Sequence, residues 1–202
     1  ASGRSTSLSA LFALASVATW VSWRARPGRP VWLFLASLLL MVAGIATKET
    51  AAIVPAVLVL WEAADVSRTF DWRAVVARTG AHWLLLAFGL ALAMSLPAYR
   101  EFLASSLATR SVVENLVAQL QGIRYLSGQL LNIDRMNADP AWPARLEPDT
   151  ADGLTLVVLM VGAGFALTNL RRLPLPAFAI LWFLLWLAPT NSLLARLDLV
   201  ND

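Results

Sequence analysis

The sequence contains no cysteine and a single histidine, His82. Without cysteine the chain cannot form a disulfide, supply a thiol nucleophile or build a cysteine-based metal site. One histidine is too few for a histidine-cluster metal site within this chain, so we assign no metal ligand. Charge is also scarce, because Asp, Glu, Lys and Arg make up only 14% of the residues, whereas about a quarter is usual in soluble domains.

Apolar residues are what the sequence has in abundance. They supply 58% of the 202 residues, which indicates a chain whose solvent is lipid. The net charge is +3, and every basic residue except Lys48 is arginine. Because these arginines occur in short clusters between apolar runs, they indicate membrane topology and not a nucleic-acid partner.

Six apolar runs have lengths close to the roughly 17–25 residues of a membrane-spanning helix. We predict spans at residues 8–23, 30–47, 50–64, 81–99, 153–170 and 175–190. None of them shows the two-residue alternation of a membrane β-barrel strand. Since the backbone must satisfy its own hydrogen bonds in lipid, the sequence predicts an all-α integral membrane protein, a bundle of about six helices.

The arginines predict the orientation of this bundle. They concentrate in the loops after the first, third and fifth spans, at Arg24, Arg26, Arg29, Arg68, Arg73, Arg78, Arg171 and Arg172. By the positive-inside rule these loops lie in the cytoplasm. The turn that contains Lys48 and the long segment 100–150 then face the other side, which we place in the periplasm of a bacterial inner membrane.

Lys48 and Glu49 stand side by side between the second and third apolar runs. A single helix over residues 30–64 would be about 52 Å long, which exceeds the bilayer core of about 30 Å, so the chain must turn here. Two interpretations stay open. A lysine that ends one helix and a glutamate that begins the next suit the helix dipoles. Alternatively, Lys48 is a mobile point charge that reaches a phosphate at the membrane surface.

The outer segment 100–150 is longer than connections without secondary structure or function usually are. Its apolar residues recur at helical spacing: Val113, Leu116, Val117, Leu120, Ile123, Leu130 and Leu131. This pattern predicts an amphipathic helix that lies in the outer interface or caps the bundle. Asp134 and Arg135 follow that helix and Arg196 follows the sixth span, either as solvated helix ends or as the polar wall of a pocket.

Four stretches in order carry a resemblance: "SGRSTSLSALFALAS", "TKETAAIVPAVLVLWE", "AQLQGIRYLSGQLLNIDRMN" and "LAPTNSLLARLDLVND". Together they resemble the multi-span glycosyltransferases that use a polyprenyl-phosphate sugar, above all the protein O-mannosyltransferase type whose longer members carry tetratricopeptide repeats. The resemblance covers nearly the whole chain. It implies a GT-C fold with its active site at the outer membrane face, a lipid-linked sugar phosphate as donor, and a protein or glycan hydroxyl as acceptor.

The resemblance also implies roles for individual residues. In such enzymes an acidic residue of the first outer loop is the general base, and basic groups stabilise the phosphate. That loop would precede residue 1, so we assign no catalytic base and expect a piece of a longer protein, inactive alone. The candidates for the donor phosphate are Lys48, Arg4, Arg124 and Arg196. The candidates for the acceptor side or pocket wall are Tyr125, Asp134, Arg135 and Glu49. No cofactor is assigned, and a divalent metal stays open.

Two other functions compete with this one. A transporter would carry ionisable residues inside its spans, and we expect the six spans to be almost free of them, with His82 at a helix end reaching towards the interface. A structural membrane subunit would use its outer polar residues only for solvated surface or partner contacts. The transferase hypothesis predicts that Arg4, Lys48, Asp134 and Arg196 border one cavity open to the lipid headgroups.

Overall fold

The computed structural model describes residues 2–67, 69–109, 111–131 and 147–190. Within these ranges the chain is helical and contains no strand, which confirms the all-α prediction. A short 3-10 turn, Glu49–Ile53, interrupts the α-helices once. The α-helices are α1 (Ser2–Ala25), α2 (Val31–Thr47), α3 (Val54–Ala64), α4 (Trp72–Ser95), α5 (Pro97–Thr109), α6 (Val112–Leu131), α7 (Thr150–Asn169) and α8 (Pro174–Thr190).

Three helical segments are long and apolar enough to cross a membrane, namely Ser5–Ala25, Trp72–Ser95 and Thr150–Asn169. Val31–Thr47 and Pro174–Leu187 are also apolar but shorter. Large side chains project outwards from these helices, including Leu39, Leu84 and Met160, which are 70%, 73% and 66% exposed. Soluble monomers rarely expose apolar surface of this extent. The chain is therefore a helical membrane protein, and the count of six spans stays a prediction.

The fourth predicted span differs most from the helix that forms. Residues 81–99 were expected to be helical, whereas α4 begins at Trp72 and ends at Ser95, and α5 begins at Pro97. Proline cannot donate the next helical hydrogen bond, and it disfavours helical geometry in the residue before it. At its N-terminal end, α4 extends past the apolar run and includes Arg73 and Arg78, because polar residues can continue a helix.

The chain divides into two compact units. The first comprises Ala1–Ala91 and Phe165–Pro189, and so holds α1 to α3, most of α4, the end of α7 and most of α8. The second comprises Leu92–Gly164 and Thr190–Asp202, and holds α5, α6 and the first part of α7.

In the first unit, α1 and α2 form an antiparallel hairpin. Ser9 lies opposite Gly44, and its hydroxyl donates a hydrogen bond to the Gly44 carbonyl oxygen at 3.2 Å. A Cβ atom on Gly44 would fall 2.8 Å from the Cβ of Ala51. The glycine therefore permits the hairpin and the 3-10 turn to approach closely, as small residues commonly do at helix contacts in membranes.

Two apolar clusters form the core of the first unit. The larger joins α1, α2, the 3-10 turn and α3, and its buried members are Ala13, Val17, Trp20, Met41, Ala51, Ile53, Val54, Val57 and Leu58. The smaller joins α3 to α7 and α8 through Leu60, Ala166, Leu170, Ala177 and Leu181. α3 thus contributes to both clusters, and its two ends position the charged groups described below.

Candidate functional site

Lys48 lies at the turn that the sequence predicts between the second and third apolar runs. α2 ends at Thr47, and the Lys48 backbone is extended, with its N–H donating to the Gly44 carbonyl oxygen at 2.9 Å. The 3-10 turn then starts at Glu49. The chain therefore does turn at "TKET", and Lys48 is the residue that caps the C-terminus of α2.

Contacts from α1 hold Lys48 in place. Its Nζ atom donates a hydrogen bond to the Thr6 hydroxyl at 2.7 Å. The Lys48 carbonyl accepts a hydrogen bond from the buried Ser9 hydroxyl at 3.1 Å, and Ser9 lies 3.2 Å from the hydroxyl of buried Thr50. Since an ammonium group has three donors, the contact with Thr6 leaves capacity for an anion. Glu49, beside it, is exposed.

Arg124 lies in the second unit and is engaged by two carboxylates. Its Nη1 atom is 3.2 Å from Asp149 Oδ1 and 3.2 Å from Asp152 Oδ1. Gln121, one turn earlier on α6, donates to Asp152 Oδ2 at 3.1 Å. These contacts tie α6 to the start of α7, so a donor phosphate would compete with Asp149 and Asp152 for this arginine.

Asp149 and Asp152 cap the N-terminus of α7 reciprocally. The Asp152 N–H donates to Asp149 Oδ1 at 2.7 Å, and the Asp149 N–H donates to Asp152 Oδ2 at 3.0 Å. The hydrogen bond from the Asp152 N–H, followed by that from Arg124, lowers the pKa of Asp149 below its usual value. Sequence reasoning missed this cap, although acidic residues three positions apart before an apolar run are its signature.

The helix predicted in the outer segment is confirmed as α6, but its faces are arranged differently from the expectation. Asn115 and Gln121 are polar residues that lie between its apolar positions in the sequence, yet both are 2% exposed. Of the apolar stripe, Val113 and Leu116 are 67% and 47% exposed, whereas Val117 and Leu120 are 5% and 6% exposed. The buried face of α6 is therefore mixed, with apolar and polar side chains together. Tyr125, further along α6, accepts a hydrogen bond from the Gln129 amide.

Four of the predicted site residues have no described side chain. Arg4 belongs to α1, but its side chain lies outside the described part of the structure, as do Asp134, Arg135 and Arg196 entirely. The expected cavity bordered by Arg4, Lys48, Asp134 and Arg196 therefore stays a prediction. Of the remaining candidates, Lys48 and Glu49 belong to the first unit, and Arg124 and Tyr125 belong to the second.

A buried ion-pair cluster at the end of the first unit was missed by the sequence analysis. Glu62 Oε1 lies 2.6 Å from Arg24 Nε, and Glu62 Oε2 lies 3.1 Å from Arg24 Nη2, so the pair is bidentate. Arg78 Nη1 donates to the same Glu62 Oε2 at 2.8 Å. The cluster joins α1, α3 and α4, and it borders a cavity of about 400 Å³. Glu62 lies within the predicted span 50–64 and is 6% exposed, so it is one of the few ionisable residues that the spans contain.

Contacts around this cluster support the prediction that the loops after the first, third and fifth spans lie at the same end of the bundle. Arg24 lies in the last turn of α1, and its Nη2 atom is 3.5 Å from Oδ2 of Asp65, which follows α3. Arg171 of the α7–α8 turn donates to the Asp65 carbonyl oxygen at 3.5 Å. The three arginine-bearing connections therefore meet at one end of the first unit. Lys48, bonded to Thr6 near the start of α1, lies at the opposite end. Which compartment each end faces stays a prediction.

His82 occupies the interior of the first unit and does not reach towards an interface. It is fully buried, and its Nε2 atom lies 3.0 Å from the Ser37 hydroxyl. Ser37 and Ser16 exchange hydrogen bonds with each other's carbonyl oxygens at 2.9 and 2.7 Å. The expectation for His82 is wrong because α4 starts at Trp72, which places this residue well inside the helix.

Over the described ranges, no group of three or more His, Asp or Glu side chains is arranged to hold a metal ion. Comparison of the chain with protein-family models, curated proteins and solved structures finds no match. The function therefore has to be argued from the residues themselves.

Proposed function

We propose that this chain is part of a membrane glycosyltransferase of the GT-C type, which transfers a sugar from a polyprenyl-phosphate donor to a protein or glycan hydroxyl. The proposal includes six spans and an active site at the periplasmic face of a bacterial inner membrane. It is supported by the order of the four sequence stretches that resemble this class of enzyme. It is supported further by the geometry of the turn at Lys48.

The observation that carries the proposal is how firmly Lys48 is held. A hydrogen bond from the Ser9 hydroxyl fixes its backbone carbonyl, and a hydrogen bond to Thr6 orients its ammonium group. It is the only lysine among 16 basic residues, and it lies at the opposite end of the unit from the arginine cluster. A cation that is positioned in advance at the membrane surface is suited to stabilise a phosphate without reorganisation during the reaction.

The reaction that the resemblance implies transfers one proton, forms one bond and breaks one bond. In enzymes of this type an acidic residue takes the proton of the acceptor hydroxyl, and the resulting oxygen forms a bond to the anomeric carbon of the sugar. The bond from that carbon to the phosphate oxygen breaks, and polyprenyl phosphate leaves with the electron pair. Lys48 stabilises the negative charge that develops on this phosphate.

The experiment is sugar transfer by the intact protein in membranes, with radiolabelled polyprenyl-phosphate sugar as donor. Lys48→Ala should lower the transfer rate by about 10²- to 10³-fold, as removal of one stabilising donor does in other enzymes, while Lys48→Arg should retain part of it. Arg73→Ala, an exposed arginine at the other end of the first unit, is the control. Unchanged transfer by Lys48→Ala would return Lys48 to the role of an ordinary helix cap.

The alternative function is a non-catalytic structural or transport subunit. Buried Glu62 and buried His82 favour it, because ionisable residues inside membrane spans commonly mark transport pathways. Glu62 is, however, paired with two arginines, as a structural charge should be. Proteoliposomes that hold only the intact protein distinguish the two functions: sugar transfer supports the enzyme, whereas solute flux without sugar transfer supports the alternative.

A further inference from the structure

An apolar groove runs along the outside of the first unit between α1, α3 and α8. It consists of two hollows of about 470 and 480 Å³. The hollows share Val21 of α1, Trp61 of α3 and Phe178 of α8, so they form one continuous groove. Small side chains on its opposite walls, Ala18 and Ala179, leave the space open.

The groove has the length of one lipid tail. Its α1 wall extends from Leu14 to Ala25, which corresponds to roughly 16 Å at 1.5 Å per residue. Its α8 wall extends from Pro174 to Trp182, or roughly 12 Å. The hydrocarbon core of a bilayer is about 30 Å thick, so the groove reaches from one membrane surface to about the middle. A single acyl chain of the adjacent leaflet spans the same distance.

The mouth of the groove lies at the arginine-bearing end. Arg24, Asp65 and Ser67 line it, and the Arg171 guanidinium reaches it through its hydrogen bond to the Asp65 carbonyl oxygen. Arg24 is buried and paired with Glu62, whereas Arg171 is exposed on the turn between α7 and α8. Among the described residues of the same end, the exposed arginines are Arg26, Arg29, Arg73, Arg171 and Arg172, while the exposed or half-buried acids are Asp65 and Asp71.

We propose that this groove binds one anionic glycerophospholipid of the adjacent leaflet. Its phosphate lies at Arg171, and one acyl chain lies along the groove against Val21, Trp61 and Phe178. The arginine excess selects the headgroup, since basic pockets between membrane helices attract anionic lipids. The apolar walls determine where the tail goes. This site lies at the end of the unit opposite Lys48, and it does not depend on the proposed sugar transfer.

Native mass spectrometry of the intact protein in detergent tests the headgroup. Phosphatidylglycerol and phosphatidylcholine with the same acyl chains serve as probes. The protein should retain one phosphatidylglycerol in preference to phosphatidylcholine, and Arg171→Gln should lower that retention about fivefold, the effect of one basic residue near the surface. Arg172→Gln, its exposed neighbour, is the matched control and should change retention less than twofold. Equal losses from both variants would overturn the assignment of Arg171.

A second pair of variants tests the tail position. Ala18→Trp and Ala179→Trp both fill the groove, and because these alanines are exposed, neither should disturb folding. Both should abolish preferential retention of phosphatidylglycerol. Ala77→Trp, an exposed position on α4 outside the groove, should not. Retention that survives filling of the groove would overturn the proposal. So would a dimer that Ala179→Trp dissociates, because the groove would then hold a second copy of the chain.

Discussion

Glu62 and Arg24 form a bidentate ion pair between α3 and α1, with Nε and Oε1 2.6 Å apart and both side chains buried. The residues are separated by 38 positions in the sequence. Arg78 of α4 approaches the second carboxylate oxygen at 2.8 Å. One carboxylate therefore connects three helices at the end of the bundle where the arginine-bearing loops meet.

Replacing Glu62 by Gln should destabilise the protein strongly. The variant removes the negative charge that lies closest to both Arg24 and Arg78, and breaking a buried ion pair by removing one partner costs about 3–5 kcal/mol. Thermal unfolding in detergent measures the loss. Asp71→Asn, which removes an exposed carboxylate from the same end, is the control and should lie within about 0.5 kcal/mol of the wild type. Similar unfolding temperatures for the two variants would contradict a structural role for the ion pair.

Gly44→Ala should loosen the contact between the α1–α2 hairpin and the 3-10 turn. The added methyl group would meet Ala51 Cβ at 2.8 Å, and overpacking of this kind costs about 1–3 kcal/mol. Gly89→Ala is the matched control, because a Cβ there meets nothing within 4 Å. That change should be neutral or stabilising, since alanine is the better helix former. A Gly44 variant as stable as the Gly89 variant would show that the close approach is not required.

Ser37→Ala should destabilise the interior of the first unit. It removes the partner of His82 Nε2 and one of the two hydrogen bonds exchanged with Ser16. Leaving a buried polar atom without its partner costs about 1–3 kcal/mol. Ser95→Ala, which removes an exposed hydroxyl that bonds to Leu92 of its own helix, is the comparison and should have little effect. Hydrogen exchange at α4 should rise in the Ser37 variant and stay unchanged in the other.

The stability contributed by the charge of Asp149 should depend on pH. Its folded-state pKa lies below the ordinary value of 3.8, so its contribution is present above pH 3.8 and is lost as the pH falls through the lowered value. Asp149→Asn keeps a capping side chain and removes the charge. The variant should therefore be less stable than the wild type near pH 6, and the difference should shrink on acidification. A difference that stays constant down to pH 3 would contradict the lowered pKa.

Glu49 and Arg172 should be accessible from opposite sides of the membrane. Both are exposed, and the chain has no cysteine, so Glu49→Cys and Arg172→Cys each add one reactive thiol. A membrane-impermeant maleimide applied to sealed inverted vesicles should label only Arg172→Cys, and intact spheroplasts should show the reverse. Labelling of both variants from the same side would refute the predicted topology and, with it, the proposed periplasmic position of Lys48.

The sequence by itself determined the helical membrane character, the turn at Lys48 and the shared end of the arginine-bearing connections. These follow from local properties: the length of apolar runs, the thickness of a bilayer and the cost of placing arginine inside it. The capping pair Asp149 and Asp152 is equally local and was available from the spacing. The resemblance to polyprenyl-phosphate glycosyltransferases also came from the sequence, and it remains the basis of the proposed function.

Only the tertiary structure decided which polar residues lie inside the protein and what they contact. Glu62 and His82 have partners 38 and 45 positions away, and no local pattern specifies which helix faces meet. The same holds for α6, whose buried face combines Asn115 and Gln121 with Val117 and Leu120. The physical reason is that a buried charge or imidazole is stabilised by whichever helix supplies its partner, and this pairing depends on the packing of the whole unit.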